Sequence, residues 1–238
     1  MRRASSLGIV AVAAVLAVGG CQAQSGEDPQ TSATAETTDA PAATDASTGA
    51  SSTAAADSAD FEQVVTEDLA AAVAVIQGWW PDFVAPELRT IPLGETFGGV
   101  MTGCGRYPFT SGNAFYCAGD NTVYLDLNFL AGQDRYGKEN GAALAITTHE
   151  LGHAWEAQRG YRPDESETVV KTELFADCIS GAIVAEMGGN EEAAARDAFA
   201  SGDFAFDNPQ HHGTPSQRRQ ATETGIEQGH EACDAYLR

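Results

Sequence analysis

Hydrophobic residues follow two different periods along this chain. Apolar residues recur at helical spacing between Phe61 and Trp80, which predicts a helix whose inner face carries Val64, Val65, Leu69, Val73 and Ile76. Residues 121–127 instead alternate and are β-rich, so they predict a strand, with Phe115-Tyr116-Cys117 as its hairpin partner. After Lys138 the helical period returns, over residues 139–158, 166–187, 190–200 and 214–228. A small sheet or hairpin followed by a mainly helical part predicts the α+β class.

The beginning of the chain has the pattern of an export signal. Basic residues at Met1-Arg2-Arg3 precede the apolar run Leu7–Val18, which ends in Val18-Gly19-Gly20-Cys21. This ending resembles the lipobox of bacterial lipoproteins, in which the signal is cut before the cysteine and the cysteine carries lipid. We therefore expect residues 1–20 to be a signal peptide, and lipid on Cys21 to anchor the exported protein at the outer face of a bacterial membrane.

The next segment lacks the residues that build a hydrophobic core. Residues 22–58 contain only alanine among the hydrophobic types, and they contain neither lysine nor arginine. Such a composition does not bury enough surface to offset the entropy lost on ordering. We expect a lipidated cysteine and disordered tether over 21–58, and a single folded domain over 59–238, whose length suits one hydrophobic core.

Charge excludes one class of partner. The sequence has 34 acidic and 13 basic residues, a formal net charge of −21, and its only lysines are Lys138 and Lys171. A protein that binds a phosphate backbone needs a basic stripe, so we expect no nucleic-acid partner. The oligomeric state does not follow from the sequence.

The cysteines fit an exported protein. With Cys21 set aside, four remain, and an even count in an exported domain predicts two disulfides, for which three pairings are possible. Cys104–Cys117 would close a loop beside the hairpin, and Cys178–Cys233 would then tie the C-terminal segment to a central helix. A thiolate metal site is disfavoured because the sequence has no Cys-x-x-Cys pair.

The strongest chemical motif is His149-Glu150-Leu151-Gly152-His153, within a largely apolar segment with helical character. On a helix, residues four apart lie on the same face, so both imidazoles can reach one metal ion. Glu150 then lies beside them, where a carboxylate can act as base on a water molecule. The pattern predicts a Zn²⁺ hydrolase in which His149 and His153 bind the metal and Glu150 is catalytic.

A catalytic zinc usually has three protein ligands and one open position. The extended motif with a glycine and a third histidine is absent, because Glu156 and Arg159 occupy those positions. The third ligand must come from acids further along the chain, and the candidates are Glu165, Glu167 and Glu173.

Glu173 is the preferred third ligand. It lies four residues before Asp177 on a second apolar helix, and a buried pair of carboxylates repels itself unless a cation or hydrogen-bond donors intervene. We expect Glu173 to bind the metal and Asp177 to accept a hydrogen bond from a ligand histidine, His149.

These two motifs together resemble the gluzincin class of zinc peptidases, and more narrowly the neutral zinc metallopeptidase family of bacteria. Residues 115–126, 173–183 and 212–218 also match that family, as does Cys233-Asp234. The resemblance implies a zincin-like fold, zinc-dependent cleavage of peptides or proteins, and substrate pairing along the strand near Tyr124. Family members often carry a longer insert between the second histidine and the third ligand.

His212 is the candidate for a further catalytic role. It precedes a helix that Thr214 would cap, with Pro215 at the first helical position. There it could donate a hydrogen bond to the oxyanion formed during hydrolysis, with Tyr116 and Tyr124 as rival donors. The alternative for the whole protein is a non-catalytic, lipid-anchored binding or structural module that retains a zincin scaffold.

Overall fold

The structure, a computed structural model, describes residues 50–96, 99–105, 108–133, 141–161 and 168–238. Its helices are α1 Ala50–Trp79, α2 Leu127–Gln133, α3 Gly141–Gln158, α4 Val170–Glu186, α5 Glu191–Ala200, α6 Pro215–Gln228 and a C-terminal 3₁₀ helix, His230–Ala235. Its strands are β1 Glu87–Ile91, β2 Val100–Met101, β3 Pro108–Phe109, β4 Ala114–Cys117 and β5 Thr122–Asp126. This mixture of a small sheet and a mainly helical part confirms the α+β, zincin-like prediction.

The first helix is longer than predicted. It begins at Ala50, so residues 50–58, which the sequence assigned to the tether, continue the helix towards the N-terminus. Alanine has the highest helix propensity, and extending an existing helix costs far less than starting one. The remainder of the predicted tether, the signal peptide and Cys21 lie outside the described residues. None of the described helices has the length and apolar character needed to cross a membrane.

The main sheet has three strands in the order β1-β5-β4. The predicted hairpin is present: β4 and β5 are antiparallel, with Tyr116 opposite Val123. On its other side β5 pairs in parallel with β1, so that Tyr124 lies opposite Arg89. The expectation that substrate pairs with the strand near Tyr124 is therefore wrong, because both sides of β5 are already hydrogen-bonded and the outer strand next to α3 is β4.

Helices α3, α4 and α6 pack with very little space between their backbones. A Cβ atom at Gly152 would lie 2.7 Å from the Cα of Ala176, which brings α3 directly against α4. A Cβ atom at Gly225 would overlap the carbonyl oxygen of Cys178, and one at Gly181 would overlap that of Thr222, so α6 lies equally close to α4. These glycines set the distance across which short polar side chains meet between the helices.

Two disulfides hold the periphery to this core. Cys104–Cys117 joins the loop after β2 to strand β4, and Cys178–Cys233 joins α4 to the C-terminal 3₁₀ helix. The Cα–Cα distances of 5.8 and 5.5 Å are normal for disulfides. Both predicted pairings are confirmed, and the second one lies one residue after Asp177.

Replacing Gly225 by alanine should destabilise the protein. The added methyl group forces α6 away from α4, and overpacking of this kind costs about 1–3 kcal/mol in the free energy of unfolding. Chemical denaturation would measure the loss. The matched control is Gly78→Ala in α1, where a Cβ atom meets nothing within 4 Å and the helix gains propensity. Equal stability of Gly225→Ala and the native protein would contradict the packing described here.

Candidate metal centre

The two histidines of the motif project from the buried middle of α3. His149 and His153 lie one helical turn apart, and their Nε2 atoms are 3.1 Å from each other. Their side chains are each 8% exposed. This helix can be buried almost all round because Leu151, Gly152 and Ala154 are apolar or small, as the sequence indicated.

Glu173 completes the cluster from the first turn of α4. Its Oε2 lies 3.4 Å from His149 Nε2 and its Oε1 lies 3.5 Å from His153 Nε2. The three side chains are buried, and their ligand atoms lie within 4.8 Å of one another. The structure thus brings together the three residues that the sequence proposed as metal ligands, whereas Glu165 and Glu167 lie outside the described residues.

The outer nitrogen of each imidazole faces a carboxylate. His149 Nδ1 is 2.9 Å from Asp177 Oδ1, and His153 Nδ1 is 2.9 Å from Glu156 Oε1. Because a carboxylate only accepts hydrogen bonds, the Nδ1 of His153 carries its hydrogen, and the nearby Asp177 carboxylate favours the same tautomer of His149. In a neutral ring of this tautomer the lone pair lies on Nε2. Both lone pairs point into the space that Glu173 also faces.

This arrangement fits a bound cation. The Nε2 atoms of the two imidazoles face each other at 3.1 Å, and both carboxylate oxygens of Glu173 are buried without a hydrogen-bond partner. Such groups repel one another and are costly to bury unpaired. Imidazole nitrogen and carboxylate oxygen are the ligands that catalytic zinc sites use, in the number seen here. His149, His153 and Glu173 therefore form a group that can hold zinc.

The electrostatics of the cluster agree with this assignment. Burial lowers the pKa of His149, but the facing carboxylates of Asp177 and Glu173 outweigh burial and raise it to about 10. Burial acts to raise the pKa of Glu173, but the two imidazoles and Arg218 hold it well below its usual range. The pocket is thus a region of negative potential that attracts a positive charge at the imidazole nitrogens.

Arg218 supports this cluster from α6, a role that the sequence analysis did not assign. Its Nε and Nη2 both donate to Asp177 at 2.7 Å, and Nη2 lies 3.7 Å from Glu173 Oε2. Thr214 starts α6 as predicted, by accepting a hydrogen bond from the backbone N–H of Gln217, with Pro215 in the first turn. Asp177 and Arg218 are 41 positions apart, so no local pattern links them.

Glu150 is on the adjoining side of α3 and is not part of the ligand cluster. Its side chain is buried, and its Oε2 accepts a hydrogen bond of 2.8 Å from the backbone N–H of Tyr116 on β4. Burial raises the pKa of Glu150, and the nearby charges of His153 and His149 oppose that rise. A carboxyl group held at one oxygen beside a metal pocket is well placed to exchange a proton there.

The candidate oxyanion donor His212 lies near Asp203. Asp203 accepts a hydrogen bond of 3.0 Å from the backbone N–H of His212, and its carboxylate is 3.5 Å from the Nδ1 of the His212 ring. The Nε2 of His212 is buried and has no hydrogen-bond partner. The hydroxyl groups of Tyr116 and Tyr124 donate to Asn121 and Asp120 in the hairpin.

Comparison with known proteins agrees with the site. The family described as "Putative neutral zinc metallopeptidase" matches residues 2–236 of this chain. The uncharacterized protein YpfJ of Escherichia coli strain K12 is 30% identical in an alignment of 171 positions that covers 58% of this chain and 59% of YpfJ. YpfJ of Escherichia coli O6:H1 strain CFT073 gives the same values. This chain therefore spans 59% of the length of these curated relatives. No solved structure matches it.

The family match covers nearly all of the chain and includes both helices that supply the cluster. Together with the buried group of two imidazoles and one carboxylate, it identifies this chain as a member of the neutral zinc metallopeptidase family.

Proposed function

We propose that this protein is a zinc-dependent endopeptidase. The observation that carries the proposal is the buried convergence of His149, His153 and Glu173, with Glu150 directly beside them on α3. Family membership supports a zinc hydrolase in general, and the glutamate beside the cluster supports hydrolysis of an amide bond. The three ligand side chains would hold zinc, which, when bound, polarises the peptide carbonyl and lowers the pKa of a nucleophilic water molecule.

Glu150 supplies the proton transfers in this proposal. The Tyr116 backbone N–H donates a hydrogen bond of 2.8 Å to Oε2 of Glu150. In this proposal Oε1 faces the reacting water. The carboxylate takes the proton of the attacking water and later delivers it to the leaving amine, because a peptide nitrogen is a poor leaving group until it is protonated. His212, with an unpartnered Nε2, is the proposed donor to the developing oxyanion.

In this proposal the substrate lies in a groove formed by residues after α1, by β4 and by the end of α3. It has a volume of about 420 Å³ and is lined by residues that include Trp80, Val84, Tyr116 and Ala157. Tyr116 lines this groove, and its backbone N–H also donates a hydrogen bond to Glu150. In this proposal a peptide chain lying in the groove extends from the C-terminal end of α3 towards the metal ligands on the same helix.

Replacing Glu150 by glutamine tests the base. Glutamine keeps an oxygen that can accept from the Tyr116 amide but cannot take a proton, so zinc content should stay unchanged while peptide hydrolysis falls by about 10²–10⁴-fold. The assay is digestion of an unfolded protein or a peptide library, with the chelator-treated protein as control. Normal turnover by Glu150→Gln would show that the base is wrongly assigned. A native protein that binds zinc but cleaves nothing would favour the non-catalytic module instead.

Replacing Glu173 by alanine tests the metal centre. We expect elemental analysis to find much less zinc than the single ion per chain expected in the native protein. Zinc present at 100 times its dissociation constant stabilises the native state by about 2.7 kcal/mol, so a chelator should lower the melting temperature of the native protein. The same chelator should have little effect on Glu173→Ala. The matched control is Glu227→Ala on the exposed side of α6. Unchanged zinc content in Glu173→Ala would point to Glu165 or Glu167.

We also propose that the enzyme is lipid-anchored on the extracytoplasmic face of the cell membrane. The pattern at residues 1–21 and the disulfides support export, since disulfides form mainly in oxidising compartments. Lipid is the anchor in this proposal because the sequence offers no basic patch for an anionic membrane surface.

Replacing Cys21 by serine tests the anchor. The change removes the lipid acceptor, so the protein should move from the membrane fraction to the soluble fraction of fractionated cells. Metabolic labelling with a fatty acid should mark the native protein and not Cys21→Ser. The control is Cys104→Ser, which breaks a disulfide in the folded domain but leaves the lipid acceptor. Membrane association of Cys21→Ser equal to that of the native protein would contradict the proposal.

A further inference from the structure

We propose that Glu156 is a positioning residue for the metal centre, and that its carboxylate strengthens His153 as a ligand. The inference rests on the metal site of the proposed function. The sequence marks Glu156 only as a departure from the extended zinc motif, since it stands where that motif has glycine.

The geometry fixes one imidazole from within the same helix. Glu156 lies three residues after His153, which places the two side chains on the same face of α3. Its Oε1 is 2.9 Å from His153 Nδ1, and the two side chains are only 7% and 8% exposed. The hydrogen on Nδ1 is thereby engaged, so His153 presents the lone pair of Nε2 to the cluster. Loss of this contact would leave the ring free to adopt the other tautomer.

The two ligand histidines differ in what balances the charge of their carboxylate partners. Asp177, the partner of His149, receives two hydrogen bonds of 2.7 Å from Arg218, which neutralise much of its charge. Glu156 has no such cation: within the described parts of the chain its side-chain contact is with His153, and its Oε2 is buried without a hydrogen-bond partner. An uncompensated carboxylate polarises its imidazole more strongly and so raises the ligand strength of Nε2.

A purely structural role explains Glu156 poorly. It lies in the last turn of α3, where the helix dipole disfavours an acidic side chain, and it is buried, which disfavours a charge further. A glutamate that served only to fill this space would lower the free energy of unfolding, with no favourable interaction to offset the cost of burying its charge. A divalent cation bound at His153 Nε2 provides the positive charge that makes the position favourable, transmitted through the imidazole ring.

The test compares zinc affinity in Glu156→Gln, Glu156→Ala and Glu227→Gln. Each dissociation constant is measured by competition with a chromophoric chelator. Glu156→Ala should bind zinc about 10–100-fold more weakly, as expected when the partner of a ligand histidine is removed. Glu156→Gln keeps an acceptor oxygen without the charge and should fall between Glu156→Ala and the native protein. Glu227→Gln removes an exposed acid and should bind like the native protein.

A spectroscopic measurement separates positioning from general loss of stability. In zinc-loaded protein, nitrogen-15 NMR should show a protected Nδ1–H on His153 in the native chain and in Glu156→Gln, and should lose that signal in Glu156→Ala. Native affinity in both variants would overturn the inference and leave the proposed peptidase intact. A native protein that binds zinc and cleaves nothing would overturn the peptidase alone. Failure of the native chain to bind zinc would overturn both. If Glu156→Ala does not fold, native affinity in Glu156→Gln is sufficient to reject the inference.

Discussion

The structure depends on one electrostatic constraint: two imidazole nitrogens and a carboxylate face one another in a buried pocket. His149 Nε2 and His153 Nε2 are 3.1 Å apart, and Glu173 lies within 3.5 Å of both. Nothing in the chemistry of these three groups favours their convergence unless a positive charge is shared among them. The contacts around the cluster, from Asp177, Glu156 and Arg218, hold the two imidazoles and the carboxylate close to one another.

Helix α4 contributes most of the contacts that hold the cluster together. Glu173, which faces the imidazoles, lies one turn before Asp177, which contacts His149. The next residue, Cys178, is disulfide-bonded to the C-terminal segment. The close approach permitted by Gly152 and Gly225 brings α3 and α6 near enough for short side chains to meet. The geometry of the site therefore depends on the packing of the core, because small residues at the helix contacts set how close the three helices lie.

Local pattern predicted a large part of this arrangement. The ligand pair on α3, the choice of Glu173, the capped start of α6 and both disulfide pairings agree with the structure. Two predictions differ from the structure: the position of β5 within the sheet and the residue at which α1 begins. The central position of β5 depends on β1, which is distant in sequence, and the early start of α1 reflects extension of a helix that other contacts nucleate.

The sequence alone determined which groups are available and which of them share a helical face, because spacing along a helix is fixed by backbone geometry. It therefore specified the imidazole pair, its neighbouring glutamate and the acidic pair on the second helix. Only the tertiary structure decided what balances each charge. Arg218 on α6 reaches Asp177 on α4, whereas among the described residues the side chain of Glu156 contacts the imidazole of His153 alone. Compensation of a buried charge depends on distances between separate elements, and no local period in the chain encodes those distances.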